Sequence, residues 1–426
     1  MSDPAHPDSA LASPGYRAYV LGILVLVYTF NFLDRQITGI LAIPIKAELG
    51  LSDTQLGMMG GLAFAIFYTL LGIPIARLAD RGSRTRIMTA ALALWSAMTA
   101  ACGFAHSFAQ LFLARLGVGV GEAGGVAPAY SLICDYFPRH QRARALGVYA
   151  FGIPIGASIA MFAGGYLTTR LGWRAAFFSV GLAGVLVAPL FKLTVREPVR
   201  CGLDAAAARV EAPSLSGVIA GLLRKPAFWW LSLGGATSSM AGYGLLFWMP
   251  SFLVRSFGLD LLSAARTIGG LLLVAGILGI WAGGVVADRA GTRRKSAYGL
   301  VPAIAFLATT PLYIIGVLSS NLVTAVAVLF LPTALALAWL GPVTSAIQHL
   351  VPANQRTMGS AIFLFVNNLV GIGAGNTIMG ILSDAMRARF GAEALRYAIL
   401  TGSAFYLLAA LFFALGARRL ERDWID

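Results

Sequence analysis

Residues 114–125 read ARLGVGVGEAGG, and the fold turns on how this stretch is understood. Gly119, Gly121 and Gly124 fit the G-x-G-x-x-G pattern of a dinucleotide-binding turn. Such a turn follows a strand and opens an amphipathic helix in a soluble βαβ unit. Here the match lies inside a long apolar run, so it is coincidental. The glycines read better at another spacing. Gly117, Gly121 and Gly125 are four apart and form one helix stripe, where a neighbouring helix can approach closely. Arg115 and Glu122 are two turns apart and share another face. The stretch is a two-sided helix that packs on one side and carries charge on the other.

Composition supports a membrane setting for that helix. The chain of 426 residues is 58% hydrophobic and 12% charged, with a mean hydropathy of +0.78. A soluble domain is about 45–50% apolar and about 25% charged. This chain has too little polar surface to cover itself in water, so it reads as an integral membrane protein. Twelve apolar segments are expected, near 18–45, 54–79, 87–106, 108–137, 143–169, 173–193, 227–255, 264–287, 295–318, 321–349, 357–385 and 395–417. A spanning helix needs ~20 apolar residues, so this length accommodates them with short loops and no large soluble domain. The start, MSDPAHPDSALASPGY, has no basic region followed by an apolar core, so no cleavable signal peptide is expected. Cys102, Cys134 and Cys201 lack metal-type spacing and read as structural.

The net charge of +14 has a topological explanation rather than a nucleic-acid one. With the N-terminus in the cytoplasm, most of the 32 lysines and arginines fall on the cytoplasmic side. They include the groups Arg81, Arg84, Arg86; Arg139, Arg142, Arg144; Arg289, Arg293, Arg294, Lys295; and Arg418, Arg419, Arg422. This bias places both termini in the cytoplasm of a multi-pass inner (plasma) membrane protein. The most polar interior stretch, 194–226, reads as a cytoplasmic linker between six-helix halves at 1–193 and 227–426.

The halves repeat. Ala79-Asp80-Arg81 after the second segment matches Ala287-Asp288-Arg289 after the eighth. Pro138-x-x-Gln141-Arg142 after the fourth matches Pro352-x-x-Gln355-Arg356 after the tenth, at nearly the same offset. Such parallel repeats imply halves related by an axis along the membrane normal.

These residues carry a resemblance over almost the whole chain to the major facilitator superfamily, an all-α fold of twelve transmembrane helices in two pseudo-symmetric halves. The G-x-x-x-D-R-x-G-R-R loop of that superfamily is degenerate at 76–86, where Ala76 replaces the leading glycine. The second copy keeps Gly284, Asp288, Arg289 and Gly291. Within the superfamily the chain resembles the spinster lipid transporters through NFLDR (31–35), RLGVGVGEA (115–123) and FGIPIG (151–156). It departs at Gly124, where that family often has serine. Organic anion:cation symporters carry a similar Asp-Arg and glutamate and are a rival likeness. The resemblance implies alternating-access transport, not enzymatic catalysis, with sphingolipid or lysophospholipid-like cargo. It also implies that Asp80, Arg84, Arg142 and Asp288 pair across helices and halves to close the cytoplasmic side.

Four charges fall deep within spans: Asp34, Arg35, Arg115 and Glu122. A charge at mid-bilayer is costly and marks a functional site by default. Asp34 and Glu122 are expected to carry the coupling proton, with Arg35 and Arg115 as counter-charges or anion-headgroup ligands. Asp34 and Arg35 are ~100° apart around their helix, so one should face the central cavity and the other a neighbouring helix. Asn31, one turn earlier, can hydrogen-bond either. The static alternative is two buried ion pairs that lock the first half. In the second half, Thr237, Ser238, Gln348, Asn367, Asn368 and Asn376 are expected to make inter-helix hydrogen bonds. Tyr243, Phe247 and Trp248 in GYGLLFWMP (242–250) are candidates to line the cavity, with ordinary packing as the alternative.

Six asparagines and six glutamines are few for coordinating a polyol. An amphipathic cargo with an apolar tail and a charged head suits one charged cluster in an apolar cavity. The alternatives are proton-coupled symport of small organic anions and multidrug-type export. His6, His106, His140 and His349 are scattered, so no metal, cofactor or catalytic cluster is expected. The expected partners are protons, membrane lipids and the cargo, with no nucleic acid, and the chain is expected as a monomer.

Overall fold

The computed structural model describes residues 12–198, 215–352 and 355–425. Among these, every regular element is helical. Helix α1 spans Pro14–Leu49. The Ser13 side chain accepts from Tyr16 N, proline occupies the first turn, and Gly50 ends the helix at φ 62°. Each device suits its place: a hydroxyl for orphan amides, proline where no amide is needed, and glycine for the left-handed cap. At 36 residues α1 is about 54 Å long and overshoots a ~30 Å hydrocarbon core.

Helices α2 (Asp53–Gly60) and α3 (Leu62–Arg81) break at Gly61. Helix α4 is Arg84–Cys102. Helices α5 (Phe108–Glu122) and α6 (Val126–Tyr136) break at Ala123–Gly125. Helices α7 (Arg139–Ala150) and α8 (Gly152–Thr194) follow, and α8 turns at Gly172, where φ is 85°. The short α9 (Leu215–Leu223) precedes α10 (Pro226–Phe257) and α11 (Leu261–Gly291). Next come α12 (Ala297–Leu318), α13 (Leu322–Leu335), α14 (Leu340–His349) and α15 (Arg356–Phe390). The chain ends with α16 (Ala394–Ser403) and α17 (Phe405–Asp423).

Seven stretches are long and apolar enough to cross a membrane. Two of them, Arg144–Thr194 at 51 residues and Met358–Asp423 at 66, exceed what one crossing uses. The remaining expected segments fall on α4, on α5 with α6, and on α10. Leu193 is 82% exposed, Val323 76% and Leu186 72%, with other leucines exposed along the same helices. In water this belt would be a large exposed patch; against lipid tails it is solvated.

In the first half α1 packs on α8, and α4 on α8 and α5. In the second, α10 packs on α15 and α17, and α12 on α13 and α17. Between them α11 meets α8, α15 meets α2 and α3, and α10 meets α1. The contact of α2 with α15 is backbone on backbone. A Cβ at Gly57 would lie 2.4 Å from Asn376 O, and one at Gly380 would lie 2.3 Å from Asp53 O. Only glycine permits this approach.

Candidate substrate and coupling site

The glycine stripe of α5 seats that helix as its spacing predicts. A Cβ at Gly121 would lie 2.6 Å from Trp95 N of α4, and one at Gly117 2.6 Å from Met98 Sδ. Gly119 lets α5 touch α3, its Cβ position being 2.3 Å from Phe64 O. With its small side spent on these neighbours, α5 turns Arg115 and Glu122 toward α1.

Glu122 Oε2 accepts from Arg35 Nε at 2.6 Å and from Asn31 Nδ2 at 2.7 Å. Asn31 and Arg35 are one turn apart on α1, so one oxygen holds both. All three side chains are buried. The Arg35 guanidinium also lies over the rings of Tyr68 (4.5 Å), Phe64 (4.8 Å) and Phe32 (5.1 Å). Aromatic faces attract a cation and replace part of its lost hydration.

Asp34 behaves differently from its neighbour. Its carboxylate is buried and neither oxygen accepts a direct hydrogen bond. Arg115 donates from Nη1 to the Asp34 main-chain oxygen at 3.1 Å, not to the carboxylate. The static alternative of two arginine–carboxylate pairs therefore does not hold. One pair forms, between Arg35 and Glu122, because the ~100° step along α1 turns Arg35 to the cavity and Asp34 away from it.

A small cavity lies between the halves, lined by Arg35, Gln36, Gly60, Phe64, Arg115, Tyr243, Ile372 and Asn376. Tyr243 is where it was expected. Trp248 is not: it is fully buried, and its Nε1 donates to Asn376 O at 3.0 Å, so it ties α10 to α15 within the second half instead of lining the cavity. Gln36, Phe64 and Ile372 were not singled out in the sequence; only Gln36 carries a signal, as an amide next to Arg35 in an apolar run. Among the second-half polar residues, Asn367 takes the expected inter-helix role, its Oδ1 accepting from Ser239 Oγ of α10 at 2.9 Å; Asn367 Nδ2 reaches Asn368 Oδ1 at 3.4 Å within α15, and Thr237 and Ser238 donate to carbonyls of their own helix.

The halves are sealed on the face opposite the chain ends. Asp53 accepts both Arg255 terminal nitrogens, at 2.7 and 2.8 Å, Ser383 Oγ at 2.7 Å, and Lys46 Nζ. Asp384 accepts Thr54 N and Thr54 Oγ1, each at 2.7 Å, and Asp53 N at 3.2 Å. Sequence reading missed this seal, although Lys46 and Arg255 stand out on a charge-poor face.

On the other face, Arg84 binds Asp135 and Ser131 Oγ (2.8 Å) of its own half and Glu197 Oε1 (2.8 Å) just after α8. Burial raises the Glu197 carboxyl pKa. The Thr85 amide, Arg84, and the Ser83 and Thr85 hydroxyls outweigh this and hold it down at about 2. Asp288 accepts from Tyr298 OH at 3.4 Å, again within one half, and Arg142 donates from Nε to Phe137 O at 3.0 Å. The side chain of Asp80 lies outside the described residues. In this conformation, closed at the opposite face, Arg84 pairs across helices with Asp135, and among the described residues neither Arg84 nor Asp288 pairs between the halves. Among the described residues no group of three or more His, Cys, Asp or Glu could hold a metal. Cys102 is buried, and Cys201 lies outside the described residues.

Residues 24–376 match the Major Facilitator Superfamily. The chain belongs to that superfamily. This integral membrane transporter is similar to several of its members along nearly its full length. It is 36% identical over 407 residues to an MFS-type efflux pump of Mycolicibacterium smegmatis, covering 95% of this chain and 94% of the relative. It is 27% identical to protein spinster homolog 1 of Xenopus tropicalis, covering 96% and 84%. Among solved structures it resembles a bacterial homolog to the human lysosomal transporter Spinster, in inward-facing and unoccupied conformation. There the TM-score is 0.86 at 32% identity, covering 97% of this chain and 100% of that one. The occupied, inward-facing form gives a TM-score of 0.83.

Proposed function

We propose that this transporter works by proton-coupled alternating access and moves an amphipathic, lipid-like molecule of sphingolipid or lysophospholipid type. The reading rests on Glu122 Oε2, which holds Arg35 and Asn31 together beside the inter-half cavity. An ionised Glu122 retains the guanidinium. A proton on Glu122 removes that charge and frees Arg35 to meet an anionic headgroup in the cavity. Asp34, with no arginine on its carboxylate, is the second proton site, and Arg115 links it to the cavity through its main-chain oxygen. Phe64, Ile372 and Tyr243 give the cargo tail an apolar wall.

The architecture goes with this reading: twelve crossings in two six-helix halves, 1–193 and 227–426, joined by the 194–226 linker. Both termini are cytoplasmic in an inner membrane, and the unit is a monomer. In that orientation the Asp53 seal is periplasmic and the conformation faces inward. The likeness to an inward-facing spinster homolog supports this. Asp80 and Arg142 would join Arg84 and Asp288 in closing the cytoplasmic side once the seal opens.

The 36% identical relative is named an efflux pump, which favours multidrug-type export as a second reading. Proteoliposomes loaded in turn with lysophospholipid, sphingoid base, small carboxylate and cationic dye separate the readings. Transport of a lysolipid or sphingoid base that collapses with the proton gradient and with Glu122→Gln is the expected result. Gradient-insensitive transport, or transport of the dye or carboxylate alone, would overturn it.

A further inference from the structure

A second site lies away from the central cavity. Where α12 begins and α17 ends, an open groove is lined by Arg294, Ser296, Leu300, Ala417, Arg418 and Glu421. Both arginines are exposed. Neither side chain has a hydrogen-bond or ion-pair partner among the described residues. The groove's carboxylate, Glu421, is engaged by Ser296 Oγ at 3.3 Å.

The groove continues into an apolar track. Leu300, Ile304 and Leu307 recur at helical spacing on one face of α12, all exposed, and Ile304 is 64% exposed. Leu407 and Leu411 stand exposed one turn apart on α17, the helix packed beside it. A pair of unpartnered cations at the mouth and leucines leading away from it match one kind of molecule. It carries a negative headgroup and long acyl chains, and lies parallel to the helices.

We propose that this groove binds one anionic phospholipid from the leaflet at the chain-end face, with its phosphodiester between Arg294 and Arg418 and an acyl chain along Leu300, Ile304 and Leu307. Basic pockets between membrane helices take such headgroups through the attraction of their positive charge for the phosphate. The lipid would bridge α12 to α17 and so brace the second half on the side away from the cargo. This site is independent of the cargo and of proton coupling.

The full-length protein is reconstituted in nanodiscs holding equal amounts of phosphatidylglycerol and phosphatidylcholine, then released for native mass spectrometry. The wild type is expected to retain one phosphatidylglycerol in preference. Arg294→Gln with Arg418→Gln lowers that preference about tenfold, whereas the two Arg→Lys changes keep most of it. Arg387→Gln with Arg389→Gln, an equal loss of charge at the opposite face, leaves it unchanged. Leu300→Gln weakens retention, and glycerophosphoglycerol, the headgroup without chains, does not compete. Equal retention of both lipids overturns the proposal. So does equal loss in the Arg387/Arg389 control, which would mean general electrostatics, or competition by the free headgroup, which would mean an anion site only.

Discussion

Arg35 and Glu122 meet at 2.6 Å between two helices of the first half, at the wall of the cavity that separates the halves. Each is nearly inaccessible to water, so removal of either leaves a buried charge without its partner. Such losses run to about 3–5 kcal/mol, whereas neutralising both together costs much less. Glu122→Gln and Arg35→Gln should each lower the thermal midpoint sharply, and the double variant should recover most of that loss. The coupling from a double-mutant cycle checks this. Additive effects would mean that the pair contributes no specific interaction.

The Asp53–Arg255 bridge links helices α2 and α10 across the halves. Asp53→Asn should open the face opposite the chain ends more often. A cysteine placed at Thr377, which sits part-buried against Gly57 O, reports on it in a background lacking Cys102, Cys134 and Cys201. Its reaction with a membrane-impermeant maleimide should speed up several-fold. An unchanged rate would show that the bridge does not hold this face shut.

Gly57 and Gly380 allow α2 and α15 to touch through their backbones. An alanine at either place puts a Cβ within 2.4 Å of a main-chain atom, which cannot move as a side-chain tip would. Gly57→Ala and Gly380→Ala should therefore fold, bias the protein away from this closed face, and lower transport at least tenfold. Normal transport with unchanged maleimide reactivity at Thr377→Cys would refute the steric argument.

Glu197 ties the segment after α8 to the start of α4. Its folded pKa of about 2 lies below the ordinary glutamate value near 4.3. The sign follows from linkage: the contribution is complete above the ordinary value and fades as pH falls toward about 2. Wild-type melting temperature should drop between pH 5 and pH 3 more than that of Glu197→Gln, as read by differential scanning fluorimetry. Parallel curves would remove Glu197 from the acid response.

Much of the fold was legible because membrane helices announce themselves by length and apolarity. The four internal charges were legible for the complementary reason, their rarity in such a setting. The stripe Gly117, Gly121, Gly125 marked the face through which α5 packs, though not that α4 is the partner. Pairing was not legible. Spacing along α1 gives depth and relative angle, but not which of Asp34 and Arg35 faces α5. Trp248 was misplaced for the same reason: its helix passes the cavity, and only the rotation of that helix decides whether an indole lines the cavity or packs between α10 and α15. The Asp53 seal escaped because its partners stand 202 and 330 residues away. Its existence also depends on the conformation, which no local pattern records.

Asp53 has cationic partners from both sides of the divide. Arg255 belongs to the second half, whereas Lys46 comes from the end of α1 beside it. When the halves part, Arg255 leaves, but the carboxylate keeps a tenant of its own. The departing guanidinium enters water, where a lone charge is well solvated. The latch can thus be undone without stranding an anion in a dry place, and the lysine keeps Asp53 ready for the next closure.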